Sequence, residues 1–190
     1  VEGYMDAISL YQRGITNVVA SLGTALTESQ GRLLRRYANK IIISYDSDGA
    51  GQAATMRGLE ILQNLGYDVR ILQLDDPDVK DPDEYVLKNG SGRFNLCADK
   101  AISLVEFKVK MLKKSLSINS TSDKIKFLNE VSKILSKVDN NIEKEIYIER
   151  ISKEYNVSKE AIYAQTNKLQ YSNSARRKSF RKEDNTKDNR

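Results

Sequence analysis

Ile41-Ile42-Ile43-Ser44-Tyr45-Asp46-Ser47-Asp48-Gly49-Ala50-Gly51 is the stretch on which the fold turns. The β-branched run at its start reads as a strand. It ends on two carboxylates two residues apart, and the glycines that follow permit a tight turn and close backbone approach to a phosphate. Residues 51–65 then carry apolar side chains near helical spacing, with Gly66 placed as a C-cap. Asp68 to Leu74 reads as the next strand. Upstream, residues 4–13 predict a short helix ending before Gly14, and Asn17 to Leu22 a buried strand bounded by Gly23-Thr24. Thr27 and Gln30 have the spacing of a capping box, opening a helix to about Ala38. This alternation predicts an α/β domain with a parallel sheet, flanking helices and right-handed crossovers. In such sheets ligands bind in the crevice outside the carboxyl ends of the strands.

Past Gly92 the strand signals stop. Residues 101–116, 123–138 and 142–155 read as amphipathic helices; Asn156 ends the third, Ser158 caps a fourth, and Val157 is placed to staple onto Ile162. The organisation expected is therefore an α/β domain over 1–90, an all-α subdomain over 91–170, and a basic, apolar-poor tail over 171–190 that reads as a disordered linker.

Composition narrows the chemistry. The 190 residues contain one cysteine and no histidine. An internal disulfide framework is excluded, Cys/His zinc sites are implausible, and a histidine base is ruled out. Cys97 reads as a small buried apolar residue of a reduced, cytosolic protein. No apolar run approaches the ~20 residues of a membrane span. The net charge of +5 is uneven: residues 1–100 sum to −3, residues 101–170 to +4 and residues 171–190 to +4. An acid-rich half that handled nucleic acid would need cations as intermediaries, whereas the basic half can meet phosphates directly.

Acids stand at the ends of the apolar runs. Glu2 and Asp6 lie in Val1-Glu2-Gly3-Tyr4-Met5-Asp6, Asp46 and Asp48 follow the isoleucine run, and Asp81 and Asp83 lie in Lys80-Asp81-Pro82-Asp83-Glu84. Hard oxygen donors gathered at one crevice suit Mg²⁺ beside substrate phosphates. Each group also has a structural alternative. Asp46 could cap the next helix, and Asp81-Pro82 with Glu84 three residues after the cap is an ordinary helix start. Asp6, one turn after Glu2, could orient it or hold a metal-bound water. Gly23 and Thr24 either make a plain connection or bring backbone amides to the crevice. Asp75, Asp76 and Asp78 read as a solvated loop, and Lys113-Lys114 as solvated charge or a phosphate contact. An EF-hand fails, because position twelve counted from Asp46 is Arg57 and a strand precedes the acids.

Taken in order, Glu2-Gly3, Asp46-Ser47-Asp48-Gly49 with Ala50-Gly51, and Lys80-Asp81-Pro82-Asp83 resemble the TOPRIM domain. With Ala20-Ser21-Leu22-Gly23-Thr24 the wording resembles the TOPRIM domain of bacterial primases of the DnaG type over residues 1 to about 90, and residues 93–170 resemble the helical subdomain that closes their RNA-polymerase core. The resemblance implies a DNA-directed RNA polymerase that joins ribonucleotides into short RNA primers. It implies Glu2, Asp46 and Asp48 as catalytic metal-binding acids, Asp81 and Asp83 as a further metal-binding pair, and Asp6, Gly23, Thr24, Gly49 and Gly51 in support. It implies Mg²⁺ or Mn²⁺ as cofactor, with zinc confined to an amino-terminal region not represented here. The partners implied are a single-stranded DNA template, ribonucleoside triphosphates and a replicative helicase bound through a carboxy-terminal domain outside this chain, in a monomeric bacterial protein of the cytoplasm and replisome. The strand before Glu2 and a basic template-binding subdomain are also expected to lie outside it, so the chain alone is expected to make little primer. Three other readings stay open: a haloacid-dehalogenase-type phosphatase with Asp46 as nucleophile, a TOPRIM nuclease or topoisomerase, and a non-catalytic nucleic-acid or helicase-binding scaffold.

Overall fold

The computed structural model describes residues 1–22, 26–44, 49–79, 81–116 and 118–171. Asp46 and Asp48, the turn residues Gly23 and Thr24, and the predicted linker over 172–190 lie outside the described residues. The chain divides into two compact units, Val1–Leu104 and a second that begins at Val105. No helix among the described residues is long and apolar enough to cross a membrane.

The first unit is built on β1 (Lys40–Ile43), α3 (Gly49–Asn64) and β2 (Asp68–Ile71). The strands are parallel and level, Lys40 opposite Asp68 and Ile43 opposite Ile71, and the Leu72 amide donates to the Ile43 carbonyl at 2.8 Å just beyond them. A parallel pair needs a long crossover, and α3 supplies it. Gly66 ends that passage at φ +81, a left-handed conformation that glycine adopts without strain. A third strand, β3 (Ile102–Ser103), pairs antiparallel to β2, with Arg70 opposite Ser103. The sheet is therefore mixed, where the sequence predicted a parallel one; two residues are too few to show a strand period.

The predicted buried strand over Asn17–Leu22 does not form as such. Among the described residues its backbone bonds with Val1 and Glu2, Leu22 turns into the left-handed region at φ 64, and Val19 and Leu22 remain 57% and 65% exposed. Apolar residues there reflect one edge contact rather than burial on two faces. Around the sheet lie α1 (Tyr4–Gln12), α2 (Glu28–Leu34) and α4 (Pro82–Asp99). The capping box is present: the Gln30 amide donates to Thr27 Oγ1 at 3.3 Å and the Thr27 amide to Gln30 Oε1 at 2.8 Å. Leu10 of α1, Leu72 and Val79 of the loop after β2, and Tyr85, Val86 and Phe94 of α4 share one core, against which Val1 and Ile42 pack. Cys97 is buried in it, as the composition suggested.

The second unit is helical: α5 (Leu104–Ser115) leads into it, followed by α6 (Thr121–Leu135), α7 (Asn141–Tyr155) and α8 (residues 159–171). Side chains of Ser120, Asn140 and Ser158 cap the last three. Asn156 ends α7 in the left-handed region at φ +48. Phe127, Val131, Leu135 and Ile148 are fully enclosed, Ile162 is buried with them, and Val157 packs on the same cluster, consistent with the expected staple. Lys113, read as solvated charge or a phosphate contact, is paired within the unit instead. Its ammonium lies 2.5 Å from the Glu154 carboxylate and 5.6 Å from the centre of the Tyr155 ring.

Candidate active site

Backbone pairing positions Glu2. The Val1 amine donates to the Val19 carbonyl at 3.1 Å, the Ser21 amide to the Val1 carbonyl at 3.1 Å, and the Leu22 amide to the Glu2 carbonyl at 3.0 Å. This parallel ladder sets Glu2 beside the segment that runs into Gly23. The Glu2 side chain is exposed. Asp6 turns back on the same element: its Oδ2 accepts the Gly3 amide at 3.1 Å, capping α1 immediately after Glu2. The described contact of Asp6 thus fixes the turn that carries Glu2.

Ser44, buried at 8% exposure, closes the carboxyl end of β1, and α3 opens at Gly49. The segment bearing Asp46 and Asp48 lies between them in sequence, and Gly49 and Gly51 fall in the first turn of α3.

Asp81 and Asp83 flank Pro82 at the start of α4. Asp81 is the N-cap, its Oδ1 accepting the Glu84 amide at 2.8 Å, and Pro82 occupies the first turn, where its missing N–H is no loss. Asp83 Oδ1 accepts the hydroxyl of Ser9 on α1. Arg13, one turn after Ser9, donates to Ser9 Oγ at 2.6 Å and to the Ser9 carbonyl at 3.0 Å. The helix that begins beside Glu2 is therefore tied to the helix that carries Asp83. Neither Ser9 nor Arg13 stood out in the sequence: Asp83, the partner of the Ser9 hydroxyl, lies seventy-four positions away in the chain, and Arg13 reaches it only through Ser9.

The acidic loop before Asp81, expected to be merely solvated, is instead fastened to α4. Asp75 accepts the hydroxyl of the fully buried Tyr85, and the Arg93 guanidinium lies 3.3 Å away. The Tyr85 hydrogen bond, with Arg93 in support, holds the Asp75 carboxyl below the usual carboxylate range, while burial and the carboxylate push the Tyr85 phenol up. Asp76 receives Lys88 at 2.9 Å, Asn89 Nδ2 at 3.1 Å and the Asp78 amide at 3.1 Å. Lys88 and Asn89 bring its pKa down to about 2, and Asp76 in turn raises that of Lys88.

No three Asp, Glu or Cys side chains converge as a metal cage among the described residues, and Asp46 and Asp48 are not among those residues. The donor chemistry fits a hard divalent cation. Glu2, Asp81 and Asp83 all offer oxygen, and a carboxylate accepts at about four lone-pair sites, so the single Oδ1 contacts of Asp81 and Asp83 do not exhaust either group.

A family described as Toprim-like matches residues 1–86, and one described as the DnaB-helicase binding domain of primase matches residues 105–160. A DNA primase of Clostridium acetobutylicum is 47% identical over 163 residues, 86% of this chain and 27% of the relative. The crystal structure of a DNA primase domain from Pseudomonas aeruginosa matches with a TM-score of 0.66 at 33% identity, over 88% of this chain and 53% of that one. The structure of a DnaG primase catalytic domain bound to ssDNA matches with a TM-score of 0.67 at 30% identity, over 85% of this chain and 51% of that one. Such coverage exceeds the first unit, so helices of the second unit also follow the primase domains. The chain spans about a quarter of the length of the curated relatives it matches. The helicase-binding match falls on α5 to α7, inside the chain, where the sequence had suggested a polymerase-core subdomain and placed helicase docking elsewhere.

Proposed function

This chain belongs to the DnaG-type bacterial primases, with their TOPRIM domain and the helices that follow it, and from that premise we propose that it supplies the metal-binding part of an RNA-primer polymerase. Residues 1–90 act as the catalytic domain and residues 91–170 as the helical subdomain of the polymerase core. The substrates are ribonucleoside triphosphates directed by a single-stranded DNA template, and the helices over 105–160 offer the surface for a replicative helicase.

Glu2, Asp46 and Asp48 would hold Mg²⁺ or Mn²⁺, with Asp81 and Asp83 as further ligands. When bound, such ions neutralise triphosphate charge and favour the ionised 3′-hydroxyl at neutral pH. The chain's own residues set the stage. Asp6 fixes the turn behind Glu2, the Asp81 cap fixes the start of α4, and Ser9 ties the two helices together. Gly49 and Gly51 give two positions of the first turn of α3 no side chain, which would let a phosphate approach the backbone there.

The observation that carries this reading is the register of β1 with β2. Parallel strands that end level, Ile43 opposite Ile71, give β1 and β2 a common carboxyl end, and the Asp46-Asp48 and Asp81-Asp83 motifs follow those two strands in sequence. The test is the Asp46→Ala plus Asp48→Ala variant of the whole protein from which the chain comes. Primer synthesis on single-stranded DNA is expected to vanish while the unfolding temperature and helicase binding stay at parental values. Unchanged synthesis rejects the site.

A further inference from the structure

We propose that Ser9 and Arg13 are positioning residues for the Asp83 carboxylate, aiming it at the bound divalent ion. This rests on the reading above of Asp83 as a metal ligand. The geometry fixes the direction of every proton in the link. Arg13 can only donate, and it donates to Ser9 Oγ at 2.6 Å. The Ser9 hydroxyl has one hydrogen, and with Arg13 on its lone pair that hydrogen goes to Asp83 Oδ1. Asp83 is thereby held at one oxygen, and its other oxygen is turned in a set direction. Ser9 is 8% exposed, so water does not readily replace the lost bond. Arg13 is anchored a second time, on the Ser9 carbonyl at 3.0 Å, which keeps its charge one hydroxyl away from the carboxylate. A ligating carboxylate whose second contact is a buried, oriented donor is the usual arrangement around bound metals, and removal of such partners weakens binding. The link also joins the two ends of the acidic constellation: α1 begins directly after Glu2, and Asp83 lies in the first turn of α4.

The experiment titrates Mn²⁺ into the full 190-residue chain, by calorimetry or by the paramagnetic resonance of free Mn²⁺, with thermal unfolding alongside. Ser9→Ala is expected to weaken Mn²⁺ binding on the order of tenfold. Ser9→Thr, which keeps the hydroxyl, is expected to bind as the parent does. Arg13→Met is expected to weaken binding, and to weaken it no further in the Ser9→Ala background, since the two act through one link. Asp83→Ala separates the site from the link. If Asp83→Ala loses affinity while Ser9→Ala and Arg13→Met bind as the parent does, the positioning role is overturned and the site stands. If Asp83→Ala binds as the parent does, or the parent binds no Mn²⁺, the site reading falls and the positioning role with it. Should Ser9→Ala fail to fold at the assay temperature, Arg13→Met decides alone: reduced affinity supports the link and parental affinity overturns it.

Discussion

The Lys88 ammonium lies 2.9 Å from the Asp76 carboxylate, and Asn89 adds a hydrogen bond at 3.1 Å to the same oxygen. Two consecutive residues of α4 thus grip the loop that leads from β2 to the Asp81 cap. Lys88, Asn89 and the Asp78 amide bring the Asp76 pKa from 3.8 down to about 2. A depressed folded-state value means that the contribution is fully present above the unfolded pKa and is lost as pH falls from 3.8 through about 2. Lys88 mirrors it: its pKa is raised by Asp76, so its share is present below 10.5 and is lost as pH rises through the folded value. Carbon-detected titration of Asp76 should place its midpoint near 2, and Lys88→Met should move that midpoint back toward 3.8.

Thr27→Ala removes one half of a reciprocal cap and leaves the Gln30 amide without its hydroxyl partner. Urea unfolding should show a loss of about 1 kcal/mol. Thr27→Ser should retain most of it.

Gly90 interrupts α4 at φ 80 and ψ 159, a region that only glycine enters freely. A Cβ built there meets nothing within 4 Å, so crowding plays no part in the outcome. Gly90→Ala should still destabilise the protein by about 1–3 kcal/mol through backbone strain. A neutral result in thermal unfolding would mean that α4 straightens without cost.

Phe127 is 0% exposed and packs against Tyr155 at 4.8 Å between ring centres. Phe127→Ala should cost about 3–5 kcal/mol from lost burial and the cavity left behind. Hydrogen exchange should report the loss as faster exchange in α6 and α7.

Local chemistry made much of the first unit readable. The Thr27–Gln30 cap, the Gly66 terminator, the Asp81-Pro82 helix start and the isoleucine strand each rest on residues close together in the chain, and each appears where the spacing put it. The strand over Asn17–Leu22 failed for the complementary reason. An apolar run signals burial, but pairing requires a neighbour, and the described neighbour is the two-residue stretch Val1–Glu2. The antiparallel β3 was too short to carry a period. Asp75 and Asp76 resembled loop charge because Tyr85, Lys88, Asn89 and Arg93, which hold them, are recognisable as partners only once α4 lies against the loop.

By itself the sequence determined the helix caps at Thr27, Asp81 and Ser158, the isoleucine strand, the order of the acidic motifs and their likeness to the primase TOPRIM wording, because these are properties of neighbouring residues and of motif wording. Tertiary structure alone decided the level register of β1 and β2, the clamp on the Asp75–Asp76 loop, and the path from Arg13 through Ser9 to Asp83. Such contacts join positions far apart along the chain. Their energy depends on distances that no local pattern encodes, so folding alone fixes them.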